Sequence, residues 1–145
     1  MHYRDATLAD AKHLYDIGAA LISDQMKLRP SREKLQKYIA TSISATNVKF
    51  IVATEGDTIV GAMLTLSDKY DFAEKQYAQI IGVYSKGPRL AEKMLCQTLE
   101  WAAKRRAIQM ICYSATSSSS FDDLLYNYKF KSTGSMLVRR RYGTV

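Results

Sequence analysis

From Tyr77 to Arg106 the chain reads YAQIIGVYSKGPRLAEKMLCQTLEWAAKRR. A short apolar run gives way, across one Gly-Pro turn, to a long amphipathic run. In the second run Ala91, Met94, Leu95, Thr98, Leu99 and Ala102 recur with the helical period. Pro88 suits a first helical position, where its missing N–H is not needed. The pattern predicts a strand over Ala73–Val83 and a helix over Pro88–Arg106. Ile108–Tyr113 (IQMICY) then reads as the next strand. A strand, a helix and a strand in this order pair in parallel through a right-handed crossover. That unit rules out an all-α or an all-β fold.

The rest of the chain adds elements to it. His2–Ala6 is a strand candidate. Thr7 and Asp10 have the spacing of a capping box. A helix follows, with Leu14, Tyr15, Gly18, Leu21 and Ile22 on one face, and fades near Met26–Arg29 before Pro30. Ser31 caps a second helix, which ends at Asn47 and buries Leu35, Tyr38, Ile39 and Ile43. Phe50–Thr54 and Thr58–Leu66 make a hairpin around Glu55-Gly56-Asp57. Ser67–Asp71 reads as a polar connection and Thr116–Ser120 as a serine-rich loop. A short helix opens at Ser120 and runs to about Tyr128. Phe130–Tyr142 holds one or two strands, broken near Thr133-Gly134. The expected architecture is α/β: a mixed, mostly antiparallel, twisted sheet of six to seven strands, flanked by helices.

At 145 residues the chain has the length of a single domain, expected to span 1–145. Its 47% hydrophobic and 24% charged residues are ordinary for a globular protein. No apolar run reaches the ~18 residues of a membrane span. The start, MHYRDATLAD, lacks the apolar centre of a signal peptide, so a cytoplasmic place is expected. Cys96 and Cys112 have no metal-like spacing and read as buried free thiols. His2 and His13 form no cluster, and no metal is expected. The net charge is +7. The surplus collects at Lys104-Arg105-Arg106 and at Arg139-Arg140-Arg141, which suits a phosphorylated ligand, a nucleic acid or a solvated face.

The turn Ser85-Lys86-Gly87-Pro88 is more specific. Gly87 lets backbone approach a ligand. Free N–H groups at the helix start favour an anion. Lys86 and Arg89 add full charges. A diphosphate site and a plain helix start with surface cations both fit these residues.

Several stretches together resemble the GNAT family of N-acetyltransferases. YRDATLADAKHLYDIG is similar to that family's first strand and helix, written R-x-A-T-x-x-D. FIVATEGDTIVGAMLTL resembles its second and third strands. Residues 84–95 fall where the family carries its acyl-CoA signature, R/Q-x-x-G-x-G/A. In an ungapped match Lys86 takes the basic slot, Gly87 the next, Arg89 an inner glycine slot and Ala91 the last small one. The end, LLYNYKFKSTGSMLVRR, is similar to L-Y-x-K-x-G-F-x-x-x-G-x-x-x-x-R.

The resemblance implies transfer of an acetyl group from acetyl-CoA, as co-substrate, to an amine acceptor that the sequence leaves unidentified. It implies cofactor contacts from the main chain of Ile81, Gly82 and Val83, from Lys86, Gly87, Arg89, Leu90 and Ala91, and from Ser118 in the loop after the fifth strand. Gly82 suits a bulge or a close backbone approach, or simply room for a helix. Glu74, at the start of the fourth strand, is the carboxylate nearest to a base, though that place also suits the surface. Tyr77 and Tyr84 are placed to order a water. Counting back from Phe130 puts Leu125 in the family's acidic tyrosine slot, with Lys129 in place of glycine. A one-residue deletion would restore Tyr126 as the acid, with Tyr128 behind it. Homodimer pairing through an edge strand is common in the family. The alternative is a non-catalytic member that binds a partner, including nucleic acid through the basic runs.

Overall fold

A computed structural model describes residues 1–112 and 119–133. Five strands form one sheet in the order β1-β2-β3-β4-β5. They are β1 (His2–Asp5), β2 (Val48–Glu55), β3 (Thr58–Lys69), β4 (Gln76–Ser85) and β5 (Ala107–Cys112). The helices are α1 (Ala11–Gln25), α2 (Arg32–Ser44), α3 (Pro88–Lys104) and α4 (Ser119–Asn127), with a 3-10 turn at Leu8–Asp10 ahead of α1. Neighbours from β1 to β4 run antiparallel, and β4 and β5 run parallel across α3. The mixed α/β sheet is as expected, but it has five strands among the described residues rather than six to seven. Phe130–Thr133 is not strand, and the remainder of that expected segment lies outside the described residues.

The sheet separates two cores. On one face Ile51, Ala53, Val60, Met63 and Ile80 pack with α3 and α4. On the other, Val52, Ile59 and Ala62 pack with Leu14 of α1 and Ile39 of α2. Ile51, Val52 and Ala53 are fully buried. β2 thus faces a core on both sides, which explains its unbroken apolar run.

Two boundaries differ from expectation for the same reason. Ser67–Lys69 belongs to β3 because its polar atoms find partners within the sheet. Ser67 N–H donates to Asn47 O at 2.8 Å, and Asn47 Nδ2 donates to Ser67 O at 3.0 Å. The real turn lies further on, closed by Tyr70 N–H donating to Lys75 O at 3.0 Å. Ala73, Glu74 and Lys75 are therefore in that turn, outside β4.

The R-x-A-T-x-x-D pattern is one electrostatic unit. The Arg4 guanidinium donates twice to Asp10, at 2.7 and 2.9 Å. Thr7 N–H donates to Asp10 Oδ2 at 2.8 Å, the backward half of a capping box. The pairing ties β1 to the start of α1. The side chain of Asp10 is 10% exposed and that of Arg4 42%. The Arg4 hydrogen bonds, outweighing burial, bring the Asp10 carboxyl down to about 2.

A carboxyl depressed in the fold stabilises above its ordinary pKa and loses that contribution as pH falls through the folded value. Asp10→Asn is expected to cost about 1–2 kcal/mol at pH 7, after discounting for the exposed Arg4. Denaturant unfolding should show the gap between wild type and variant closing from about pH 4 down to about pH 2.

Candidate functional site

β3 and β4 each carry an irregularity that shapes the same region. In β3, Ala53 pairs with Gly61 and Thr54 with Ile59, so Val60 is an extra residue. Its carbonyl accepts from Lys86 N–H at 3.0 Å, which fixes the end of β4 against β3. In β4, Gly82 pairs with Leu64 and Ile80 with Thr65, so Ile81 is extra. Among the described residues, the pairing of β4 with β5 reaches Ile80↔Cys112, and β4 runs on to Ser85. The bulge expected near Gly82 is present, one residue earlier, and bulges commonly re-aim strands beside functional sites.

A cleft of about 600 Å³ opens beside the end of β4. Its walls come from the end of β4, the first turns of α3, one face of α4 and the C-terminal part of α1. Leu21 and Gln25 reach it from the face of the sheet opposite to α3. That size suits a cofactor arm or a small substrate.

The start of α3 is built as expected, with Gly87 as the cap and Pro88 in the first turn. Its N–H groups are unequally available. Lys86 N–H is held by Val60 O, and Gly87 N–H donates to Ser85 Oγ at 3.2 Å. The Ser85 hydroxyl in turn donates to Gly87 O. Arg89 and Leu90 lie in the first turn, where N–H groups have no intrahelical partner. They are the donors that remain for an anion. The Leu90 side chain is in the core at 8% exposure, so only its backbone can face a ligand. Lys86 and Ala91 line the cleft. Arg89 is exposed and outside the lining, so it does not block the cradle.

Three glycines show which spaces the protein fills itself. A Cβ at Gly61 would meet Met94 Cε at 3.0 Å and Ala53 Cβ at 3.4 Å. That glycine serves the packing of α3 on the sheet. At Gly82 and Gly87 a Cβ would meet nothing within 4 Å. Gly82 therefore does not make room for a helix. Gly87 has extended backbone, φ −168°, that any residue adopts. Neither glycine is required by the fold, and both border open space.

The expected acid and base are elsewhere. Glu74 lies in the exposed turn before β4. With 10 residues in β4, at ~3.3 Å each, it stands roughly 30 Å from the Ser85 end. Tyr126 is 55% exposed and outside the cleft lining. Lys129, at φ 71°, occupies the left-handed position that suits glycine, and Phe130 N–H closes the helix onto Leu125 O at 3.0 Å. Leu125, which the ungapped count puts in the tyrosine slot, is buried at 6% exposure. Among the described residues the phenol lining the cleft is Tyr84.

Sequence reasoning missed Glu92, a residue of the cleft lining whose carboxylate accepts from the Tyr128 hydroxyl at 2.8 Å. The spacing of Glu92 and Cys96, one helical turn apart, was the available signal. Cys96 Sγ donates to the same hydroxyl at 3.2 Å. Both cysteines are free as expected, but Cys96 is exposed rather than buried. Ser118 and the run Arg139–Arg141 lie outside the described residues.

No family model and no curated protein matches the sequence. Solved structures do match it over nearly its full length. One is a predicted acetyltransferase with acetyl-CoA from Clostridium acetobutylicum, at TM-score 0.78 and 17% identity, covering 96% of this chain and 95% of that one. The aminoglycoside 6'-N-acetyltransferase of Acinetobacter haemolyticus aligns at TM-score 0.73 and 11% identity, covering 97% and 98%. This is the GNAT acetyltransferase fold. A transcriptional regulator from Bacillus halodurans also aligns, at TM-score 0.70 and 20% identity, covering 97% and 99%. The GNAT fold is thus common to proteins described in different ways, and function has to be argued from the cleft.

The glycine contrast is testable by urea unfolding. Gly61→Val should lose about 1–3 kcal/mol through overpacking against Met94 and Ala53. Gly82→Ala and Gly87→Ala should each stay within about 0.5 kcal/mol of wild type, as substitutions without a packing consequence do.

Proposed function

We propose that the protein is an acetyl-CoA-dependent N-acetyltransferase that moves an acetyl group to a primary amine of a small molecule or a protein. One observation carries this reading: β4 is bulged at Ile81 just before the start of α3, and the cleft there is bordered by Gly87, whose missing side chain the fold does not need. A clear backbone approach, together with a helix start, fits an extended anionic cofactor better than a compact ligand.

Bound acetyl-CoA supplies an activated acetyl group as a thioester. The chain's own parts are assigned as follows. Arg89 and Leu90 N–H and the Lys86 ammonium hold the diphosphate, and Gly87 keeps the approach clear. Main-chain groups of Ile81, Gly82 and Val83 align and polarise the acyl carbonyl. Tyr84 orders a water that takes the proton from the acceptor ammonium, since Glu74 is too far to do so directly. Tyr126 does not reach the cleft, so water returns the proton to the leaving thiolate. A contact from Ser118 is part of the same proposal.

A second reading, a binding protein without catalysis, is favoured by Leu125, which buries an apolar side chain in the slot of the family's tyrosine. Nucleic-acid binding through the first basic run is less favoured, because two of its three cations have partners within the fold. Lys104 pairs with Glu100 at 3.3 Å, and Arg105 lies over Trp101 and donates to Thr46 O at 3.3 Å.

Thermal unfolding with acetyl-CoA tests the proposal. At ~100 times Kd the ligand adds ~2.7 kcal/mol, which is a rise of roughly 5–10 °C in a domain of this size. Gly87→Val should abolish the rise while unfolding at nearly the wild-type temperature without ligand. No rise with acetyl-CoA, CoA or longer acyl-CoAs rejects the transferase. A rise without thiol release in the presence of amines supports the non-catalytic reading.

A further inference from the structure

We propose that Tyr128 is a positioning residue that holds the Glu92 carboxylate off the anion cradle at the start of α3, and so sets the affinity for the diphosphate of the cofactor. The inference rests on the reading of this cleft as the acetyl-CoA site.

Glu92 lies in the second turn of α3, beyond the Gly87 cap and Pro88. Its side chain lines the same cleft as Lys86 and Gly87. A carboxylate free to swing there faces the donors that a diphosphate needs. It would compete for the Lys86 ammonium and repel the incoming anion.

Tyr128 removes that freedom. Its hydroxyl donates to Glu92 Oε1 at 2.8 Å and accepts from Cys96 Sγ at 3.2 Å. The relay has one direction, from thiol to phenol to carboxylate. Glu92 and Cys96 are one helical turn apart on α3, and Tyr128 reaches them from beyond the end of α4. Its backbone cannot drift. Tyr128 N–H donates to Leu124 O at 3.2 Å and to Leu125 O at 3.0 Å, and Lys129 turns into the left-handed region at φ 71°. The Tyr128 ring also packs against the core shared by α3 and α4. Both hydrogen-bond partners, Cys96 first and then Glu92, raise the pKa of the phenol, which keeps its proton available to donate. Asp123 also lines the cleft, from α4, so restraint of Glu92 removes one of two carboxylates from the path of the anion.

A double-mutant cycle tests the inference. The Kd of CoA is measured by calorimetry for wild type, Tyr128→Phe, Glu92→Gln and the double variant. Tyr128→Phe keeps the ring and its packing, and circular dichroism confirms folding. It should weaken CoA about tenfold, as expected for a newly freed like charge beside the ligand. Glu92→Gln should bind as tightly as wild type or tighter, and the double variant should stay within about twofold of Glu92→Gln. The excess Kd of Tyr128→Phe should also shrink with added salt, since a charge effect is screened. A loss that persists in the Glu92→Gln background marks a merely structural tyrosine and overturns the proposal. So does an unchanged Kd in Tyr128→Phe. If wild type itself fails to bind CoA, the acetyl-CoA reading falls and this proposal with it. Binding by wild type with no coupling removes this proposal alone.

Discussion

Everything about the cleft depends on how β4 is held along its two edges. One edge pairs with β3 along its length from Gln76 to Ser85, interrupted by the bulge at Ile81. The other pairs with β5 from Gln76 to Ile80 among the described residues. An antiparallel neighbour joined by a short turn can stay in register for the whole strand, whereas a parallel neighbour must arrive through a crossover. Here α3 is the crossover, and it starts from the very end of β4. β4 therefore leads from the bulge at Ile81 straight into the cleft at the start of α3.

The start of α3 is constrained by the same connection. Lys86 is the last residue before the cap, and its N–H is used to fasten the turn to the bulged Val60. Ser85 folds its hydroxyl back onto Gly87, so the cap is internally satisfied. The anion capacity of the turn is therefore smaller than its six-residue span from Lys86 to Ala91 suggests. It rests on two backbone donors and one ammonium. With so few positive groups, a neighbouring carboxylate matters, and the placement of Glu92 gains weight.

Element types were legible because each had a periodic apolar face. The faces of α3 and the hairpin of β2 and β3 could be read from spacing alone. The start of α3 at Pro88 and the capping box of Thr7 and Asp10 were legible too, since capping chemistry is local. What could not be read was set by contacts distant in sequence. Ser67 looks like loop until Asn47 is known to bond with it. Glu74 looks like the start of a strand because Ala73 is apolar, yet the turn is closed by Tyr70 and Lys75. The tyrosine slot is ambiguous by one residue in the sequence, and the left-handed backbone of Lys129 has no local signal there. A lysine in the left-handed region is uncommon, so a count that assumes glycine there has no local support. The link from Tyr128 to Glu92 joins the residue after α4 to α3, and the spacing of Glu92 and Cys96 marks only its α3 side.

Net charge was the weakest guide, for a physical reason. A surplus of +7 describes the whole chain, but a ligand feels the charges within about one Debye length, ~8 Å in physiological salt. Near the cleft the described charged residues are mixed: Lys86 stands against Glu92 and Asp123. The cations of Lys104 and Arg105 are occupied in closing α3, where a positive charge complements the helix end. Arg106, at φ 59°, marks the turn out of that helix. A run that reads as a polyanion surface in sequence thus works as a helix terminus in the fold. Recognition in this protein is decided instead by the balance of one ammonium, two backbone donors and two carboxylates around a single opening, and shifting any one of them changes which ligand charge the opening accepts.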